Sequence, residues 1–393
     1  MVDLLDGELF ARGAADAIFA RLRRESPVCR HGAFWAVLRH RDVVRVMRDP
    51  ATFSSVRGTG YMSRFDADPS PPRWRSLNGS DGAAHVELRA IVERVVGVPR
   101  DPAQLRASVR ERIDRFVARG GGDFAADVAE PLPFGALARV LGVDDEAQRA
   151  ELLACTQLIA RHADADQRPP DFGPGDAGSD GEGRLRALVA DWIAERAGRT
   201  RAAPGDAIAR LLEAMDTAGL PRRDLAYLLR LLALTGHHST ALAIGGAAHV
   251  LATQPDVAAK LAAGAPLGPF VDEVLRWTSP IVRFGRFVER DVELGGQAIR
   301  RGERVVAFFR SANFDEDAFA APECFDPARA PNPHVAFGDG PHACFGAGFA
   351  RAQIAAVLDA LRGVRLALAG EPKRLASSVS SGFVALPLSA SRR

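Results

Sequence analysis

The chain has 393 residues, of which 47% are apolar and 25% charged, an ordinary balance for a soluble globular protein. Its formal net charge of +2, with no basic block interleaved with aromatics, excludes a partner held mainly by charge, such as nucleic acid or an anionic membrane. Four scattered cysteines (Cys29, Cys155, Cys324, Cys344) lack disulfide or zinc spacing, which fits a reducing cytoplasm.

The N-terminus, MVDLLDGELFARG, carries acids early and no long apolar run, so it does not read as a secretory signal. Apolar spacing predicts helices over residues 17–24 and 43–48, with a short strand at 34–38 between them. Residues 54–82 are rich in Gly, Pro, Ser and Asp, and Pro69, Pro71 and Pro72 block regular structure there. Loops of that length are commonly functional. Helical patterns resume at 85–96, 103–119, 128–141 and 146–162. Residues 163–183 read as a mobile Asp/Gly/Pro-rich stretch, followed by helices over 185–197 and 206–215.

One long apolar helix is expected over 222–253, about 45 Å at 1.5 Å per residue. Residues 231–255 lack any Asp, Glu, Lys or Arg and are long enough for a bilayer. Their histidines, hydroxyls and glycines read instead as a helix buried in a large core. Residues 270–277 are helical, 286–309 alternate as strands, 311–334 are coil, and 366–388 form closing strands. No repeat or linker divides the chain. It reads as one domain, 1–393, mainly α with a small β region.

Residues 337–346, FGDGPHACFG, are the most informative segment. Glycines at 338, 340, 346 and 348 permit backbone angles that other residues resist, so a loop can wrap closely around the Cys344 sulfur. A helix-compatible run follows. The helix dipole and nearby N–H groups favour a thiolate at such a place. A thiolate is a nucleophile, or a ligand for a soft metal or haem iron. No CxxC partner supports zinc. Taken alone, a buried cysteine in a turn would look the same.

The pattern FxxGxHxCxG, met at Phe337, Gly340, His342, Cys344 and Gly346, resembles the cysteine-ligand loop of the cytochrome P450 family. The resemblance runs from His85 to Leu388 and implies that family's fold. It also implies haem b, with Cys344 as the axial thiolate and Phe337, His342 and Gly346 in the loop that holds the cofactor. Glu273 and Arg276 lie at i and i+3 in an apolar context, FVDEVLRW. They resemble the family's ExxR pair, and Arg329, in FDPAR, matches its third, structural partner. His85 and Arg89, at i and i+4, resemble the pair that holds haem propionates. Arg286, His334 and His342 fall where further propionate partners are expected.

The segment Thr235-Gly236-His237-His238-Ser239-Thr240 aligns with the family's oxygen-activating motif. His238 then stands where an acid is usual, and Ser239 where a threonine is usual; Thr240 follows. The resemblance makes these three catalytic candidates. His238 reads either as a proton shuttle, since imidazole titrates near neutral pH, or as a core histidine. Ile281, Val282, Phe284, Val379 and Phe383 are expected to form an apolar substrate wall. Arg73, Arg75 and Arg283 are candidates for a carboxylate.

The implied activity is a monooxygenase that uses O2 to oxidise, and most simply hydroxylate, a small organic substrate. Its electrons would come from a separate ferredoxin or flavodoxin and an NAD(P)H-dependent reductase, docking near Arg94 and Arg351. Oxidative coupling or desaturation without oxygen insertion, and non-catalytic haem binding, stay open. A cytoplasmic location without membrane or nucleic-acid partners is expected.

Overall fold

The computed structural model describes residues 2–59, 76–96, 101–163, 176–197 and 205–393, and helices carry more than half of these. The main sheet has five strands in the order Val28–His31, Phe34–Val37, Arg304–Phe308, Arg283–Val288, Phe53–Ser54. Phe34–Val37 runs parallel to Arg304–Phe308, with Trp35 opposite Val305. The other pairs in this sheet are antiparallel. A second sheet joins Gly121–Asp123, Pro387–Arg392 and Val364–Leu368. Strands thus draw the first 55 residues and the last third of the chain together.

The helical core explains itself by burial. The helix Pro102–Ala118 turns Leu105, Val109, Ile113 and Phe116 inward at helical spacing, and Ala347–Leu361 does so with Ile354, Val357, Leu358 and Leu361. The two pack on each other, and Ala347–Leu361 also packs on His238–Thr253, which is buried over most of its length. Among the described residues, no helix is long and apolar enough to cross a membrane.

Three expectations about elements are corrected. The single helix expected over 222–253 is two, Arg222–Thr235 and His238–Thr253. His237, at φ −133° and ψ −40°, leaves helical geometry. Gly236 lies so close to the helix Pro131–Leu141 that a Cβ there would meet Leu137 Cδ1 at 2.8 Å. Next, residues 176–183, expected to be mobile, open the helix Asp176–Ala197. Gly181 lets it press on the helix Glu146–Ala163, where a Cβ would meet Leu158 Cβ at 3.0 Å. Last, the helix expected from 128 is preceded by a π-helical turn, Ala125–Ala129, and begins at Pro131. Arg73 and Arg75 lie outside the described residues, as do most of the 54–82 loop and residues 164–175.

Candidate active site

The cysteine loop is built on close approaches. Gly338 and Gly340 both take φ +68°, and a Cβ on Gly340 would come within 2.5 Å of the Met47 carbonyl oxygen. Glycine is the residue that fits there. The Cys344 N–H donates to Phe337 O at 2.9 Å, which closes the loop on itself. Gly346 caps the helix Ala347–Leu361. Burial pushes the Cys344 thiol pKa up, against the Gly346 N–H and the positive charges of Arg89 and Arg351. The residue is accessible, but from a cavity.

That cavity encloses about 1630 Å³ of free space, counting its open mouth. Cys344 lines it, with Phe337, His342 and Gly346. So do His85, Arg89 and Arg286, and on the side chains of another helix Ser239 and Thr240. The cationic and imidazole groups form one cluster. The His85 and His342 rings stand 4.2 Å apart. Arg89 donates to Pro341 O at 3.1 Å and Ala343 O at 2.6 Å, tying its helix to the cysteine loop. His342 Nε2 is 2.8 Å from Asp81 Oδ1. Burial works to raise the Asp81 carboxyl, but His342, Ser54 and Ser55 together hold it below the usual range.

Two members of this cluster lack an anion. Arg286 is buried, and among the described residues its guanidinium donates only to Gly285 O. Burial depresses its pKa to about 10, opposed by Asp81, so it stays charged at neutral pH. His85 Nε2 is buried without a hydrogen-bond partner. Burial, with His342 and Arg89, lowers its pKa to about 4. A buried unpaired cation and an orphaned ring nitrogen are costly unless a ligand satisfies them. A cavity with a sulfur in its wall and this pair beside it fits a dianionic macrocycle carrying iron.

The Glu273 carboxylate is fully buried and collects five donors. Arg276 gives two, at 2.8 and 2.7 Å, and Arg329 one at 3.0 Å. Asn332 Nδ2 and the Asp326 N–H add 3.1 and 2.9 Å. Arg276 also donates to the carbonyls of Asn313, Pro322 and Cys324. The triad therefore fastens the helix Leu267–Thr278 to the coil that leads into the cysteine loop.

Other expected site residues lie elsewhere. His334 does not line the cavity; its Nε2 is 3.4 Å from Asp272 Oδ1 and 3.5 Å from Arg351. His238 is absent from the lining too, although Ser239 and Thr240 beside it are present. Of the apolar wall, Ile281 and Phe284 line the cavity. Val282, just ahead of the strand Arg283–Val288, turns into a separate core with Phe308. Phe383 stacks on His249 at 4.6 Å, and Val379 is tied by its carbonyl to the Val282 N–H. Arg283 donates to Ser378 Oγ rather than facing the cavity. Sequence reading missed Leu137, Val140 and Leu141, which line it from Pro131–Leu141. Their i, i+3, i+4 spacing looks like any core face.

Residues 267–361 match the family model described as Cytochrome P450. A steroid C26-monooxygenase of Rhodococcus jostii (strain RHA1) is 30% identical over 405 residues, covering 97% of this chain and 83% of the relative. The chain belongs to the cytochrome P450 family. Its activity is that of a cytochrome P450 monooxygenase, and the family's cofactor is a haem with a thiolate ligand. The P450 fold is shared with solved relatives. CYP268A2 of Mycobacterium marinum, in complex with pseudoionone, superposes with a TM-score of 0.86 at 30% identity, covering 99% of this chain and 98% of that one. OxyD, a P450 involved in the biosynthesis of vancomycin-type antibiotics, superposes at 0.83 and 28% identity, with full coverage of both chains.

Proposed function

We propose that this P450, acting as one domain over 1–393, oxidises a small, apolar, uncharged organic molecule held in the cavity beside Cys344. The observation that carries this reading is the distribution of charge in the wall. Among the described residues, every charged or imidazole group of the lining belongs to the cluster of His85, Arg89, Arg286 and His342. That cluster is assigned to the propionates of haem, for which arginine pairing is apt. What remains for substrate is largely aliphatic and aromatic, including Leu77, Leu137, Leu231, Ile281, Phe284 and Phe309. A carboxylate there would be desolvated without a partner.

Haem, when bound, supplies the oxygen chemistry, drawing on O2, two electrons and protons. Cys344 would hold it through its thiolate sulfur. The Glu273 triad keeps that loop in place. Ser239 and Thr240 offer hydroxyls that both donate and accept hydrogen bonds at the cavity wall. His238, one residue behind the lining, passes protons toward Ser239. Electrons come from a separate ferredoxin or flavodoxin and its reductase, with exposed Arg94 and half-buried Arg351 as docking contacts.

Neutral terpenoid and steroid ketones, tested beside their carboxylate counterparts, should decide the substrate class. Neutral members should produce the low-to-high spin shift of the haem band, and the acids should not. A stronger response to the acids would overturn the reading. A second reading, oxidative coupling or desaturation, is favoured by one observation: His238 and Ser239 stand where an acid and a threonine are usual. A product two hydrogens lighter would support it, whereas one added oxygen supports hydroxylation.

A further inference from the structure

Asp81 occupies the N-cap position of the helix Gly82–Val95, with extended backbone at φ −122° and ψ 171°. Aspartate is a preferred residue there because its carboxylate normally accepts a backbone N–H of the first turn. Here the side chain makes no such bond. Its oxygens turn to two other parts of the chain. Oδ2 accepts from Ser54 Oγ at 2.7 Å and from the Ser55 N–H at 3.0 Å. Oδ1 lies 2.8 Å from His342 Nε2, a partner 261 positions away. An ionised carboxylate only accepts, so the hydrogen between them belongs to the imidazole.

These contacts join the three elements that carry the cationic cluster. The helix Gly82–Val95 bears His85 and Arg89, and the cysteine loop bears His342. Ser54 lies opposite Phe287 in the strand Arg283–Val288, one residue along from Arg286. All four cluster residues line the cavity, whereas Asp81 does not. Arg89 also ties the helix to the loop, but it grips the carbonyls of Pro341 and Ala343. Asp81 grips a side chain of the site. Among the described residues, no other hydrogen bond reaches the His342 ring.

We infer that Asp81 is a positioning residue of the haem site: by giving its carboxylate to His342 instead of its own helix, it locks that ring in the cavity wall and holds helix, loop and strand in one arrangement around the propionates. The inference rests on the assignment of the cluster to haem propionates. A hydrogen bond on one imidazole nitrogen fixes the orientation of the whole ring. Groups that hold a ligand do so better when their rotamers are set beforehand, since the cost of ordering them then falls on folding and not on binding. Ser54 and Ser55 are themselves buried, so the carboxylate is anchored on the side away from the ring.

Transfer of ferric haem from the holoenzyme to an excess of apomyoglobin measures retention. Asp81→Ala should speed haem loss by about tenfold or more, the scale on which removing a partner that orients a site's groups acts. His342→Ala should speed it as well. In the His342→Ala background, Asp81→Ala should add less than about twofold, because its effect passes through that ring. The propionate-bending band of the resonance Raman spectrum should move in both single variants. Rates that multiply independently in the double variant would overturn the inference, for Asp81 would then only brace Ser54 and the start of the helix. Haem loss at the wild-type rate in Asp81→Ala would overturn it too. Asp81→Asn keeps the shape and an acceptor for both serines but loses the charge facing His342. It carries the same cycle, with the same direction expected, should Asp81→Ala not fold. Arg286→Gln and His342→Ala test the propionate assignment by itself. Unchanged retention in both would sink that assignment and the inference together. Faster loss in both, with the Asp81 variants at the wild-type rate, would sink the inference alone.

Discussion

Cys344 is poised by opposing influences. Burial favours its neutral thiol, while a backbone N–H and two arginines favour the thiolate. Metal binding selects the deprotonated form, so the loop is set for coordination rather than for free thiolate reactivity. Cys344→His should abolish the thiolate-type carbon monoxide difference spectrum. Cys155→Ala should leave it intact, for Cys155 is buried, with its pKa pushed to about 12 chiefly by burial and then by Glu151. A different single residue tests pH. Asp42 Oδ2 is buried without a hydrogen bond, and burial raises its pKa against Arg41, Arg39 and Arg45. Its folded pKa exceeds its unfolded one. Ionisation therefore costs stability as pH rises through that window, and the cost is absent below the unfolded value. Asp42→Asn should raise the melting temperature at pH 7, and the difference should close toward about pH 4. A gap that widens on acidification would contradict this.

At the scale of elements, two fastenings position the site. Glu273→Ala should strand the buried charges of Arg276 and Arg329 and cost about 3–5 kcal/mol, a large share of an ordinary domain's stability. Haem content should fall with it, although Glu273 never reaches the cavity. Full haem retention with unchanged melting would show the triad to be dispensable. The other fastening is the helix break. Gly236→Ala should drive Leu137 aside and destabilise by about 1–3 kcal/mol. Adding Leu137→Ala should relieve the side-chain part of the clash, leaving the contact with the Leu232 carbonyl oxygen, so that the double variant loses less than the sum of the two single losses. Additive losses would mean that Leu137 does not enforce the glycine.

For the molecule as a whole, the cysteine loop and the Glu273 triad were legible because their chemistry demands fixed residues at fixed spacing. Glycine at 340 is required by the Met47 carbonyl, and Arg329 by a carboxylate already bound to Arg276. The helix break was not legible. Residues 222–253 keep helical apolar spacing throughout, and the break falls at His237 beside Gly236, which packs against Leu137, more than ninety positions earlier. Which of Ile281, Val282 and Phe284 faces the cavity depends on distant pairings: Ile281 bridges Ser380, the Val282 N–H meets Val379 O, and Phe284 pairs with Ala307, none of which local pattern reveals. His334 was misplaced for a related reason: Asp272 and Arg351, from two other helices, capture its ring.

The order of assembly follows from the sheet in which Phe34–Val37 lies parallel to Arg304–Phe308. A ribosome releases the first of these strands some 270 residues before its partner. At about 5–20 residues per second, the early strand waits for tens of seconds without its neighbour. The cavity wall draws on Met47, His85, Leu137, Ser239, Ile281 and Cys344, so no early fragment holds a finished site. Cofactor capture is therefore a late event in the life of the nascent chain. Haem supply acts as a checkpoint on nearly complete polypeptide. Chains arrested with residue 330 just outside the ribosome should retain no haem with a thiolate spectrum, while chains released at full length should acquire it.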